Sequence, residues 1–575
     1  MNKTKLKQLL GEVPLAPEIY WRLRQKANPP GKGFNLGRIE KWLPELRQQA
    51  QEQLGCADRQ IASRRIVIFP MLRYWIEHAA LLGLALAGLG HQVSLAYLPY
   101  AKWRRPLNRF DLRRMNAYAS NILEQARPLI QPISLLDIRR SAVNCARQNL
   151  PPSLLQAIAE VSLRDTQYTL QVEYAMEDLS GDHLEQADEH EHAEATHHHL
   201  SPTDRLYQLR QGRNTYAAAA FITWYQSLPV SQRPEILLTP NGSILEMGAV
   251  YQAARHLGLP VVTYEFGEQR GRIWLAHNDE VMLQNTDDLW HAFKDIPLTE
   301  QQWEQIRSLY ASRQNASLWE NFSRLWQGQP SQGGEQVRQT LGLDARPLVL
   351  LAANVIGDSL TLGRQVFSQT MTEWLERTAQ YFTQREDIQL VIRIHPGERY
   401  TKGPSVAQVV QNALPSIPAN IHLVKALDPV NTYDLVEIAD LGLVYTTTVG
   451  MEMAMSGVPT IVAGQTHYRD KGFTLDPNTW DEYHQLLGEQ LTRLARGADS
   501  HSQDAGRLPR QQVERAWQYA YRFFFDYPSP FPWHLLRWWT ELESWPIRRV
   551  LSAEGLEAYG ETFRYLAGEP RTWSN

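Results

Sequence analysis

Short, wholly apolar runs separated by helix-length segments recur in two series along the chain, a pattern that predicts parallel strands joined by crossover helices. The first series opens at "RIVIFPM" (65–71). It continues through "IEHAALLGLALAGLGHQVSLAYLP" (76–99), which reads as a helix, a glycine stop at Gly88 and Gly90, and a second strand. It resumes with "EILLTP" (235–240), a helix through "ILEMGAVYQAARHLG" and a strand in "PVVTYEFG" (260–267). The second series has five strands, "PLVLLAAN" (347–354), "IQLVIRIHP" (388–396), "NIHLVKAL" (420–427), "DLGLVYTTT" (440–448) and "PTIVAG" (459–464). Five strands with crossovers predict a doubly wound sheet, so the fold class is α/β with two Rossmann-like units.

Around these series the pattern changes. Residues 1–60 read as polar helices, with "RIEKWLPELRQQAQEQL" amphipathic and broken at Pro44. The stretch 288–330 is helical and rich in Trp and Gln, and "QPSQGGEQ" after it has the composition of a linker. The acid- and histidine-rich 175–204 segment predicts a flexible insertion rather than a metal site, since its histidines lack helical i,i+4 spacing around a glutamate. The aromatic end, "FFFDYPSPFPWHLLRWWTELESW", reads as a helical tail packed across both units. The expected divisions are a 1–60 extension, a 61–330 first domain, a 331–500 second domain and a 501–575 tail.

Composition narrows the function. At 575 residues the chain exceeds one core, and its net charge of −4 gives no overall pull toward nucleic acid. Cys56 and Cys145 are the two cysteines, too few and too far apart for a disulfide framework or a zinc site, which favours a reducing, cytoplasmic setting. No run reaches the roughly 18 apolar residues of a membrane span, so membrane contact is expected to be peripheral, through Trp103–Arg105 or the Trp-rich end.

The chemistry gathers where strands of the second series end. In "LGLVYTTTVGMEMAMSGVPTIVAG" (441–464), Thr446, Thr447 and Thr448 sit at a strand-to-helix turn, where hydroxyls and helix amides either hold a phosphate or simply cap the helix. Gly450 lets backbone approach a ligand, and Glu452, one turn in, is placed to accept ribose hydroxyls or to satisfy the helix dipole. "RIHPGE" ends another strand with His395 at its edge, a donor for a phosphate oxygen, and Arg393 two residues earlier on the same face. Asn354, Asp358 and Ser359 in "NVIGDS", and Thr432 and Tyr433 in "DPVNTY", border the same crevice, with Arg469 and Lys471 further candidates as anion partners. No P-loop lysine and no Gly-x-Gly-x-x-Gly follows a strand, which argues against the usual ATP and NAD loops.

From "LLAANVIGDS" through "VYTTTVGMEMAMSGVPTIVAGQTHYRDKGFT" (about 348–475) the chain resembles bacterial capsule and surface polysaccharide biosynthesis proteins, including the capsular Kdo-transferase group. The resemblance implies the GT-B architecture of two Rossmann-like domains facing a cleft. It further implies a nucleotide-sugar donor in the second domain, a glycan or lipid-linked glycan acceptor in the first, and no resident cofactor or metal. In the transferases resembled, a His-Pro pair contacts CMP, which makes CMP-linked sugar the first donor class and UDP-linked sugar the second. In the first domain "YEFGEQRG" echoes the family's Glu-Asp-Gly-x-x-Arg stretch, giving Glu265 as base and Arg270 as acceptor contact, with Asn241 and Glu246 from "TPNGSILEMG" beside them. Phe266 stands where the family has a second acid. That departure leaves Glu265, Glu268 or an inactive scaffold open, and a sugar-nucleotide epimerase of related fold remains the alternative enzyme.

Overall fold

The computed structural model describes residues 3–24, 34–55, 62–100, 102–173, 201–323, 325, 328–500 and 506–573. The histidine- and acid-rich 183–199 cluster and Cys56 lie outside the described residues.

Two sheets carry the chain. The first has seven strands, β1 (Arg65–Ile68), β2 (Gln92–Tyr97), β3 (Ile130–Ser134), β4 (Ile236–Pro240), β5 (Val261–Glu265), β6 (Arg272–His277) and, from the far end of the chain, β12 (Ser529–Pro530). The second has five, β7 (Leu348–Ala352), β8 (Gln389–Arg393), β9 (Ile421–Val424), β10 (Leu441–Val444) and β11 (Thr460–Val462). Their orders, β12-β6-β5-β4-β1-β2-β3 and β11-β10-β7-β8-β9, share one plan. In each, the first strand is flanked by the second and the fourth, and every pair is parallel except β5 with β6 and β6 with β12. The chain therefore reverses its winding beside β1 and beside β7, and the crevice outside the strand ends at such a reversal is where open α/β sheets take ligands.

The central strands β1, β4, β7, β8 and β10 are buried on both faces, as expected of sheets covered by helices. The helix Arg73–Gly88 is buried along almost its whole length, and Gly90 with φ of 97° turns the chain into β2. Pro44 does not break the helix expected around it, which runs Gly37–Gly55. Ile39, Leu43, Leu46 and Ala50 on its inner face are fully covered, and that burial outweighs the one backbone bond a proline removes.

The segment expected as a loose linker is pinned. Amides of Gln332 and Gly333 donate to Asp434 at 2.9 and 3.2 Å, and Gly334 donates to Glu437 at 3.0 Å. The helices before it, Asp287–Phe293 and Glu300–Gln314, place Trp290, Ile306 and Leu309 in a core shared with β7, β8 and β10, so they pack with the second sheet and not with the first as expected. Residues 201–204, expected at the end of a flexible insertion, instead start a helix (Pro202–Ser227) with a capping box between Ser201 and Asp204.

The end of the chain crosses the molecule. Helix Arg510–Tyr521 packs on the second sheet's helices, β12 then pairs with β6, and Phe531, Trp533 and Trp538 are buried in the first core. Phe266 meets this tail, its ring 6.0 Å from Phe531 and 5.1 Å from His534, so the position at which a second acid was expected is an apolar docking point.

Candidate functional site

The C-terminal edges of the two sheets face each other. Lys402, in the loop after β8, donates its amide to Gln171 Oε1 at 2.7 Å, and a side chain at Gly357, in the loop after β7, would strike the backbone of Gln171. Glu173 accepts from the Thr372 amide and hydroxyl at 2.9 and 3.0 Å. Glu268, just past β5, adds to the field on Arg313, which borders the second sheet.

On the second edge a crevice of about 480 Å³, open to solvent, is lined by Ala352 and Ala353 after β7, Arg393, His395 and Pro396 after β8, Thr432 and Tyr433, and Thr447, Thr448, Val449 and Glu452 after β10, with Arg313 closing one side. Seven residues singled out in the sequence thus converge where the winding reverses. His395 is exposed, and its Nδ1 accepts the Gly397 amide at 3.0 Å, which in the neutral ring puts the proton on Nε2. Arg393 is 4% exposed and gives its guanidinium to neutral groups, Thr432 Oγ1 at 3.2 Å, Lys425 O at 2.7 Å and Val430 O at 3.1 Å. No carboxylate lies within ion-pairing distance of it among the described residues, and burial lowers its proton affinity to about 10.

Glu452 departs from the expected exposed ribose acceptor. It is 2% exposed, Arg313 Nη1 donates to its Oε1, and the Tyr433 hydroxyl donates to Oε2 at 3.0 Å. Burial opposes the charge on Arg313, but Glu452, Tyr433 and Glu268 outweigh it and hold the guanidinium charged. The Phe524 ring lies 4.5 Å from the Arg313 guanidinium, which ties this wall to the tail.

The turn after β10 is only partly as expected. Thr448 opens helix Val449–Met455 without a side-chain cap, while Thr447 accepts a long 3.4 Å bond from Val449 N–H. Thr446 buries its hydroxyl away from the crevice, and Asn354 faces inward, accepting the Thr446 amide at 3.1 Å. Gly450 serves packing rather than ligand approach, since a Cβ there would come within 2.5 Å of the Tyr468 hydroxyl. Asp358 and Ser359 lie in the loop after β7, off the crevice lining, with Asp358 turned toward Tyr168 of the first domain. Arg469 donates to Val462 O and Pro477 O, and Lys471 ion-pairs with Asp287, so neither is an open anion partner.

On the first edge, Glu265 ends β5 half-buried. Its Oε2 accepts Asn241 Nδ2 at 3.2 Å and its Oε1 accepts the Phe266 amide at 3.0 Å. Burial pushes its pKa up to about 7, these two bonds offsetting only part of the effect. Asn241, at φ of 60°, therefore positions Glu265 from a left-handed turn that asparagine tolerates. Tyr74 and Tyr168 flank it, and the Tyr74 hydroxyl is pushed up to about 12 by burial and by the nearby Tyr168 and Glu265.

Two acceptor-side expectations are corrected. Glu246 is fully buried in an ion-pair network, 2.9 Å from Arg210, which also meets Asp165 at 3.1 Å. Asp165 in turn accepts the Leu245 amide at the start of helix Leu245–His256. Arg270 is exposed on the hairpin after β5, where its field reaches His534 and Glu541 of the tail rather than Glu265. Among the described residues no three His, Cys, Asp or Glu side chains are grouped to hold a metal, and no helix is long and apolar enough to cross a membrane. Arg313, Tyr74, Tyr168 and the Asp165–Arg210 pair were not singled out in the sequence, where nothing in their local pattern marks them.

No protein-family model matches the chain, and no curated protein matches it. Solved structures give low-level likeness. KpsC from Thermosulfurimonas dismutans, a beta Kdo 2,4 transferase, is 15% identical with a TM-score of 0.31, over 50% of this chain and 79% of that one. UDP-GlcNAc 2-epimerase from Neisseria meningitidis, bound to UDP-GlcNAc, is 11% identical with a TM-score of 0.24, over 79% and 98%. The catalytic domain of starch synthase IV from Arabidopsis thaliana, bound to ADP and acarbose, is 11% identical with a TM-score of 0.25, over 62% and 78%. The chain is similar to these proteins at a level that assigns no activity, and the architecture reported above, two Rossmann-like domains facing a cleft with helical extensions at both ends, stands on its own strand order.

Proposed function

We propose that the chain is a glycosyltransferase of GT-B type that moves a sugar from a nucleotide-sugar donor to a glycan or lipid-linked glycan acceptor. One observation carries the reading: a buried Arg393, whose guanidinium donates to a hydroxyl and two carbonyls, and an exposed His395 share the crevice with Thr432, Thr447, Thr448 and Glu452. Such a site favours a ligand that is anionic at one end and rich in hydroxyls at the other.

In the proposed reaction the acceptor hydroxyl oxygen bonds to the anomeric carbon while the bond from that carbon to the phosphate oxygen breaks. The electron pair leaves with the nucleotide, whose added charge is met by His395 and Arg393, and the acceptor proton passes to Glu265. A carboxylate with a pKa near 7 suits that task at neutral pH. CMP-linked sugar is the first donor class and UDP-linked sugar the second. A cytoplasmic setting, with at most peripheral membrane contact, follows from the same reading.

Thermal shift with CMP, UDP, GDP and ADP tests the donor site. The matching nucleotide at 100 to 1,000 times its Kd stabilises by about 2.7–4.1 kcal/mol, and His395→Ala removes most of that gain. If none of the four stabilises the wild type, or the variant responds as the wild type does, the donor assignment fails. Product analysis then separates the enzyme classes, because transfer requires acceptor and epimerisation proceeds without it.

A further inference from the structure

Beside Glu265 the first sheet edge carries cations that no carboxylate pairs with among the described residues. The loop after β2 exposes Lys102, Arg104 and Arg105, and Arg73 is exposed in the first turn of helix Arg73–Gly88, directly after β1. None of the four forms an ion pair among the described residues. The contrast with the next helix is sharp: Arg109, Arg113 and Arg114 are paired with Glu12, Glu18 and Asp111.

The loop is built, not loose. Arg213, 3% exposed, donates to the carbonyls of Lys102 and Arg105 at 2.7 and 2.8 Å and stacks 4.6 Å from the Tyr100 ring. A buried cation is thus spent on holding backbone, which adds its own charge beneath the loop. Trp103 packs against the first core with its Nε1 buried, so the aromatic residue anchors the loop inward.

Arg104 and Arg73 reach the surroundings of Glu265. The Tyr168 hydroxyl lies in the joint field of Asp358, Glu265 and Arg104, and the Tyr74 hydroxyl in that of Tyr168, Glu265 and Arg73. Strands β5, β4, β1 and β2 are consecutive neighbours, so the loop after β2 stands about 14 Å along the edge from Glu265. That span is the length of one to three sugar units.

Building on the transferase reading, we propose that the first domain takes an anionic acceptor, whose phosphate or carboxylate is held by Arg73 and Arg104, with Lys102 and Arg105 beside them, while its hydroxyl meets Glu265. A neutral glycan leaves these cations unanswered; an acceptor with a pyrophosphate link or an acidic sugar one to three units away answers them.

The test titrates the full chain with three probes by calorimetry: neutral cellotetraose, a hyaluronan tetrasaccharide carrying carboxylates, and N-acetylglucosamine linked to farnesyl pyrophosphate. At least one anionic probe is expected to bind tenfold or more tighter than cellotetraose in 50 mM salt, with the advantage shrinking at 500 mM. In the double variant Arg73→Gln, Arg104→Gln that advantage disappears. The tighter anionic probe shows whether the charge sits on the sugar or on the lipid-side phosphate. Equal binding of all three probes, absence of binding, or a charge preference that survives in the double variant overturns the inference. Nucleotide thermal shift on the same samples keeps the two readings apart. A normal nucleotide response without charge preference sinks the anionic acceptor alone, and charge preference without any nucleotide response sinks the donor site alone.

Discussion

Arg210 and Arg393 are both buried arginines below a strand end, and they differ in what surrounds their charge. Arg210, 0% exposed, lies between Asp165 and Glu246. Arg393, 4% exposed, donates among the described residues to carbonyls and a hydroxyl, feels Asp428 only at a distance, and borders an open crevice. The first charge is answered within the fold and serves the fold; the second is left for something that enters from outside. Glu265 repeats the second case with the opposite sign, a half-buried acid whose described partners are an amide nitrogen and an asparagine.

The comparison breaks most visibly at Glu265. Glu265→Gln is expected to lower kcat by about 10²–10⁴, the usual worth of a positioned general base. Wild-type kcat/KM should fall about tenfold per pH unit below about 7, and the variant should lose that limb. The stability effect runs the other way. With a folded pKa above the ordinary carboxylate value, the protonated form is the favoured one, so the stabilisation is complete below the ordinary range and is lost as pH rises through about 7. The variant should therefore have a higher Tm than wild type at pH 8 and not at pH 4.

Arg210→Met comes next. It leaves Asp165 and Glu246 buried without a cation, and about 3–5 kcal/mol of stability should be lost in urea unfolding, with the nucleotide response of the folded fraction retained. Arg393→Met gives the smallest effect and the reverse pattern. Nucleotide affinity should fall about 10–100-fold, from the loss of charge-assisted bonds worth roughly 1.5–3 kcal/mol, and stability should fall by less than half the Arg210 loss. Equal stability losses at the two arginines, or unchanged nucleotide affinity at Arg393, would erase the distinction drawn between them.

Much of the second sheet was legible in the chain because four of its five strands are buried on both faces, β9 being the exception, and each observed strand lies within the run that predicts it. The edges of the first sheet were not. β3 contains Pro132 and Gln131, which an edge strand tolerates and a reader of hydrophobic runs passes over. β12 is two residues long and is a strand only because β6 is there to pair with it. At the site, Arg393, His395, Thr447 and Glu452 sit next to strand ends and announce themselves by position. Arg313 reaches Glu452 from 139 residues away, and a contact of that kind leaves no local mark. Glu246 and Glu452 both occupy the first turn of a helix after a strand, and the sequence offers no means of knowing that an arginine lies buried against each. Which acid meets solvent is decided by tertiary packing.

The path of the final segment sets the order in which the molecule can be finished. Phe531, Trp533 and Trp538 complete a core begun at Trp21, so a ribosome emitting this chain releases the second sheet whole while the first still waits for its last strand. The domain made first is closed last, and a stop codon about 50 residues early would strip an outer strand and the buried Trp533 and Trp538 from the first core while leaving the crevice's own strands in place.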